Sequence, residues 1–331
     1  MAVYTQLGAE ALAEIISAFA VGELVSAKGI AEGVSNSNWL IETTGSQADR
    51  SDAAGMRFIL TMYEQRMDVA ELPFFLGLLD YLAARGCPVP RTIHDRDNRP
   101  YRLHEGKALA LIEFLPGVSV SAPGAGQARA VGEALARVHR AARDFPAERT
   151  NTLGLADWQA LAGTCGSEGL ESIQAGLAGL VARELDQLAR RWPADLPRSV
   201  IHADLFPDNV LMLGDRVTGL IDFYFACNDI TAYDVAVTHA AWCFGADGRR
   251  FDPSLSSALL AGYESVRPLA PEERSALPLL AQGAAMRFLI TRAYDWMNTP
   301  GDALVTRKDP LAFVRRLEFY AAPENSAIFA A

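Results

Sequence analysis

Four residues in one short stretch have the types and spacing to move a phosphoryl group: His202, Asp204, Asn209 and Asp222. They lie in the run Val200-Ile201-His202-Ala203-Asp204-Leu205-Phe206-Pro207-Asp208-Asn209-Val210-Leu211 and in Gly219-Leu220-Ile221-Asp222-Phe223 beyond it. A hydroxyl that attacks phosphorus must lose its proton, so a carboxylate has to stand within hydrogen-bond reach, and Asp204 is the candidate base. The phosphate oxygens carry charge that Mg²⁺ neutralises, and Mg²⁺ prefers hard oxygen ligands. Asn209 offers an amide oxygen and Asp222 a carboxylate, both at the ends of apolar runs that read as strands, a rigid mount for such groups. His202 suits a supporting part, its ring nitrogens tying the loop and Asp222 together.

Taken singly, each residue has a plainer reading. Asp208-Asn209 alone would turn a hairpin. The order and spacing carry the chemistry: H-x-D-x-x-x-x-N, then a carboxylate closing a second strand, is the layout of kinase catalytic and metal-binding loops.

The elements that must hold this island read as two parts. Residues 8–20 have helical spacing, and LVSAKGI, NWLIETT and RFILTMYEQ read as strands of an antiparallel meander. A helix over 72–84 follows, with Pro73 in its first turn and Gly86 as its stop. RTIHD, PYRLHEG and KALALIEFL read as two or three more strands. Beyond the Gly- and Pro-rich PGVSVSAPGAG come helical runs at 125–142, 170–192, 254–265, 272–297 and 309–320, interrupted by a strand-rich island at 199–225. The expected fold class is α+β: a small sheet lobe over 1–115 and a larger, mainly helical lobe over 116–331.

Composition narrows the partners. Net charge is −10 over 331 residues, against general nucleic-acid binding, which needs a basic face. The spacing of Cys87, Cys165, Cys227 and Cys243 suits neither a zinc site nor a disulfide framework; they read as buried thiols in a reducing compartment. No window approaches the ~20 apolar residues of a membrane span, and the expectation is a cytoplasmic protein.

HADLFPDNVLM followed by LIDFYFACND resembles the aminoglycoside phosphotransferase and choline kinase superfamily, of protein-kinase-like fold. Within it the chain is most similar to the homoserine kinases, through GVSNSNWLIET, RFILTMYEQR, ELPFFLGLLDYLAARGCPVP, LARVH, IDFYFAC and the C-terminal RFLITRAYDW. The resemblance implies Asp204 as base, His202 as its loop partner, Asn209 and Asp222 as Mg²⁺ ligands, and ATP and L-homoserine as substrates in threonine biosynthesis. It implies that Gly33, Val34, Ser35, Asn36, Ser37 and Asn38 form the loop over the ATP phosphates, though a generic turn would read the same. Adenine is expected at the lobe junction, against the backbone of Glu113, Phe114 and Leu115. Kinases of this fold usually carry a strand lysine where this chain has Thr61; Arg57 or Arg66 is the candidate substitute, and Glu71 the helix glutamate.

Homoserine is a zwitterion, so its carboxylate wants an arginine fork and its ammonium a carboxylate. Arg287 and Arg292, in an otherwise apolar helix, and Asp234, Trp242 and Asp295 are candidates, each with a surface-pair or cap reading beside it. His139 reads as packing or capping a helix end. Other acceptors of the same chemistry (an aminoglycoside, choline, methylthioribose) remain open, as does a nucleotide-binding pseudokinase. No activation-segment A-P-E stretch follows Asp222, against protein kinase activity. Monomer and homodimer are both compatible with the sequence.

Overall fold

The computed structural model describes residues 5–30, 36–45, 56–64, 68–299 and 307–330, in two compact units, Met1–Pro116 and Gly117–Ala331. The first unit runs α1 (Ala9–Ser17), β1 (Leu24–Ile30), β2 (Asn36–Thr43), β3 (Met56–Tyr63), α2 (Leu72–Ala83), β4 (Thr92–Ile93), β5 (Arg102–His104) and β6 (Lys107–Glu113). Among the described residues its strands make one antiparallel sheet, ordered β1-β2-β3-β6-β4, with β5 also on β6.

Alternation along the strands decides what each face carries. Trp39, Ile41, Phe58, Leu60, Met62, Leu109 and Leu111 share one buried cluster with Leu12, Ile15 and Ile16 of α1 and with Phe19 just past it. Each such side chain contributes on the order of 2 kcal/mol by leaving water. Asn38, Thr61 and Ala110 are register partners across three strands, so they share the opposite face.

The second unit runs α3 (Ala125–Ala142), α4 (Leu155–Ile173), α5 (Leu177–Arg191), β7 (Arg198–Ile201), β8 (Val210–Leu213), β9 (Arg216–Leu220), β10 (Cys227–Ile230), α6 (Thr231–Trp242), α7 (Pro253–Val266), α8 (Pro271–Asn298) and α9 (Leu311–Ala321). β7 pairs with β10 and β8 with β9, both antiparallel. The single helix expected over 170–192 is broken: Gln174 is extended and Gly176 left-handed, which separates α4 from α5. The expectation missed most of α4, whose buried stripe is only Trp158, Cys165 and Leu170. The four cysteines are free and buried, and no described helix is long and apolar enough to cross a membrane.

α3 and α7 cross backbone to backbone. A Cβ on Gly132 would lie 2.1 Å from the Leu259 carbonyl oxygen, and one on Gly262 would lie 2.1 Å from that of Arg129. The crossing sets the Tyr263 hydroxyl 2.8 Å from His139 Nδ1. Gly132→Ala should therefore cost about 1–3 kcal/mol through overpacking. Thermal unfolding reads this as a lower Tm; an unchanged Tm would mean that the helices can separate freely.

His239 is wholly buried between the Tyr320 hydroxyl at 2.7 Å and Ser256 Oγ at 2.8 Å. Burial pushes its pKa down to about 3 from 6.5. The unfolded chain takes up this proton first, so stability is full above pH ~6.5 and is lost as pH falls from there towards 3. His239→Gln should destabilise at pH 7, and its Tm deficit should narrow by pH 5. A constant deficit over that range would assign the acid sensitivity elsewhere.

Candidate active site

β7 delivers the chain into the loop at Ile201, and β10, its partner, runs directly into α6. The first turn of α6 thereby brings Asp234 under the loop. Its carboxylate accepts the backbone N–H of His202 at 2.7 Å and of Ala203 at 2.8 Å, and lies 3.0 Å from His139 Nε2 of α3. Desolvation works to raise the Asp234 pKa, but the His139 bond, the neighbouring imidazoles and the loop N–H hold it below the usual carboxylate range. Ala203, held this way, adopts φ 64, a left-handed conformation that costs a residue with a Cβ ~1–2 kcal/mol. Its carbonyl accepts Arg287 Nη1 of α8.

The His202 ring bridges the two halves of the island. Nε2 donates to the Ile221 carbonyl at 2.9 Å, and Nδ1 accepts the Asp204 N–H at 3.2 Å. Burial pushes its pKa down, so the neutral ring keeps this tautomer. Asn209 Nδ2 donates to the Asp204 carbonyl at 2.8 Å and to its Oδ2 at 3.3 Å, while the Asn209 carbonyl accepts the Ile221 N–H at 3.0 Å. Trp242 Nε1 donates to the Leu205 carbonyl at 3.0 Å. Asp204, Asn209 and Asp222 are thus brought together by one bonded frame.

Surrounding protein raises the Asp204 pKa to about 7, against the pull of Arg287 and with Asp222 adding repulsion. Asp222 is pushed up as well, by desolvation and then by Asp208, although its residue keeps exposed surface. Crowded carboxylates of this kind favour a bound cation. The donor set fits Mg²⁺, which uses one or two protein oxygens together with substrate phosphates. The recorded Asn209 side-chain bonds are made by its nitrogen, which leaves the amide oxygen to offer. Among the described residues no group of three or more His, Cys, Asp or Glu forms a separate metal cage.

Several expected site residues do other work. Asp234, Trp242 and Arg287 are 0%, 1% and 3% exposed, and the Asp234 carboxylate, the Trp242 indole N–H and Arg287 Nη1 bond the loop backbone, while Arg287 Nε is buried without a partner. Arg292 is half-buried, with Nη1 3.3 Å from the Asp309 carbonyl and its guanidinium 4.5 Å from the Phe313 ring. Burial lowers its pKa to about 10.

Gly33, Val34 and Ser35 lie outside the described residues, as does Arg66. Asn36, Ser37 and Asn38 open β2, and Ser37 is buried with its hydroxyl 2.7 Å from Glu64 Oε1, so it is not presented to an anion. Thr61 Oγ1 donates to Asn38 Oδ1 at 2.8 Å. Glu113 gives its N–H to the Arg91 carbonyl at 2.9 Å; Phe114 and Leu115 follow β6. Arg57 sits at the end of β3 remote from Asn36, its guanidinium 4.3 Å from the Phe114 ring. Glu71 occupies the N-cap position of α2. His139 bonds a buried carboxylate instead of capping a helix end; the run LARVH was the only signal for it. The sequence reading also missed Lys308, whose Nζ is 3.4 Å from Asp208 Oδ2.

This frame belongs to a known architecture. Amicoumacin kinase hAmiN, solved with AMP-PNP and Ca²⁺, superposes with a TM-score of 0.69 at 13% identity, covering 95% of this chain and 93% of that one. Spectinomycin phosphotransferase, solved with ADP and spectinomycin, gives 0.67 at 11% identity over 99% of both chains. The fold is therefore that of the kinase-like phosphotransferases. The family model described as "Phosphotransferase enzyme family" matches residues 26–269, and the chain belongs to that family. Within it the chain is similar along nearly its whole length to homoserine kinases. That of Bradyrhizobium sp. (strain ORS 278) is 49% identical over 97% of this chain and 96% of the relative. That of Gluconacetobacter diazotrophicus is 49% identical over 99% of both.

Asp234→Asn should lower kcat by about 100-fold or more, through misplacement of the loop, with substrate KM values near wild type. Arg287→Met should behave alike. Steady-state kinetics decide: an acceptor KM that rises with kcat intact would put these groups in contact with the acceptor.

Proposed function

We propose that the chain transfers the γ-phosphoryl group of ATP to the side-chain hydroxyl of L-homoserine, giving O-phospho-L-homoserine for threonine biosynthesis. The observation that carries the substrate is the 49% identity to homoserine kinases along nearly the whole chain. The chemistry rests on the island of Asp204, Asn209 and Asp222.

In this reading Asp204 accepts the hydroxyl proton as the acceptor oxygen attacks phosphorus. A pKa near 7 suits a base that works at neutral pH. His202 fixes the loop in one tautomer-specific geometry. Asn209 and Asp222 would hold Mg²⁺, which when bound neutralises charge on the phosphate oxygens. Gly33, Val34, Ser35, Asn36 and Asn38 remain the candidates for the ATP phosphates, and the backbone of Phe114 and Leu115 for the adenine. Arg292 remains the candidate for the acceptor carboxylate. A substrate pair of small metabolites, with no membrane span among the described helices, fits work in the cytoplasm.

One observation favours a second reading. Thr61 leaves the usual lysine position neutral, as a non-catalytic nucleotide-binding protein would. The intact base and metal ligands outweigh it.

The test is ADP release with Mg-ATP and a panel of L-homoserine, choline, methylthioribose and kanamycin, with Asp204→Asn as the control. Turnover on homoserine that drops at least ~100-fold in Asp204→Asn is the expected result. Turnover only on another acceptor would replace the substrate and keep the mechanism; ATP binding with no turnover on any would favour the second reading.

A further inference from the structure

The neutral Thr61 leaves a charge to be found. In the first unit Thr61 is buried and bonded to Asn38, and Arg57 stands at the far end of the same strand. In the second unit a cation stands beside the turn that follows Asp204. Lys308, just before α9, has Nζ 3.4 Å from Asp208 Oδ2 and 5.8 Å from the Phe206 ring. Asp208 belongs to the turn Pro207–Asn209, which carries the candidate metal ligand Asn209.

Both side chains of this ion pair are largely exposed, at 62% and 64%. Such an exposed pair is weak and exchanges readily. The Lys308 charge lowers the pKa of both Asp204 and Asp222, against the burial that raises them. Arg287 acts on Asp204 of the two, and Arg292 on Asp204 and Asp208.

We propose that Lys308 leaves Asp208 to bind the phosphoryl group during transfer, and so supplies positive charge on the side of the second unit. The inference rests on the kinase reading above. The bond from the acceptor oxygen to phosphorus forms as the bond from phosphorus to the ADP oxygen breaks. The hydroxyl proton goes to Asp204, the electron pair of the breaking bond leaves with ADP, and the Lys308 ammonium donates to the equatorial oxygens without losing a proton.

The test compares Lys308→Met, Lys308→Arg, Asp208→Asn and wild type in full kinetics with Mg-ATP and L-homoserine, beside their Tm values. Lys308→Met should lose about 100- to 1000-fold in kcat, the scale of one removed transition-state donor, with Tm and homoserine KM nearly unchanged. Lys308→Arg should recover at least a tenth of wild-type kcat, and Asp208→Asn should lose far less than Lys308→Met. A Lys308→Met kcat within threefold of wild type overturns the proposal. So does an equal loss in Asp208→Asn, which would make the pair a brace for the turn. A homoserine KM that rises with kcat intact overturns it too, assigning Lys308 to the acceptor carboxylate. A wild-type protein inert towards every acceptor would instead sink the kinase reading, so the two failures are distinguishable.

Discussion

The bonding of the Asp234 carboxylate is the interaction on which the candidate site depends. Taking a charge out of water costs several kcal/mol unless its lone pairs are met. Here they are met by two successive loop N–H groups and an imidazole. The same bonds that make the buried charge tolerable force His202 and Ala203 to present their N–H groups in one direction. That bend is what turns Ala203 into the left-handed region and sends Asp204 back out of the strand. Strain at Ala203 and burial at Asp234 are therefore two sides of one constraint.

The support runs outward through packing. His139 reaches Asp234 because α3 lies against α7 with glycines at the crossing, and Tyr263 of α7 fixes the other ring nitrogen. On the far side of the loop, Arg287 of α8 and Trp242 of α6 each bond a loop carbonyl. The loop thus has its N–H groups held by α6 and its carbonyls by α8 and α6. Backbone groups that no sheet or helix satisfies are matched by buried side chains, as groups away from water must be.

The strand meander and the loop that carries Asp204 and Asn209 were readable because both are local. Alternation within β2 and β3 reports which face is buried, and the Asp204-to-Asn209 spacing sets a loop whatever lies around it. The loop-holding partners of Asp234, Trp242 and Arg287 were not legible for a physical reason. A charged residue in an apolar helix is aimed either at a ligand or at an internal partner, and sequence alone does not separate the two. Asp234 meets Ala203 across 31 residues and Arg287 meets it across 84, separations that leave no periodic trace. The break between α4 and α5 was hidden likewise, since Gly176 shows its left-handed φ only once folded. Ser37 was placed over the phosphates by its neighbours in a Gly-, Ser- and Asn-rich loop, but strand alternation turns its hydroxyl to Glu64.

Buried and exposed charges around the loop have separate duties. Asp234, His139 and Arg287 are buried and each bonds within the protein, so they hold geometry. Asp208 and Lys308 are exposed and loosely paired, and can change partners at small cost. Asp204 and Asp222 stand between these two populations, fixed in direction by the first and adjustable in charge through the second. Such a division suits phosphoryl transfer, where the protein has little covalent chemistry to perform. What it must provide is a base held in line and positive charge that arrives as negative charge moves.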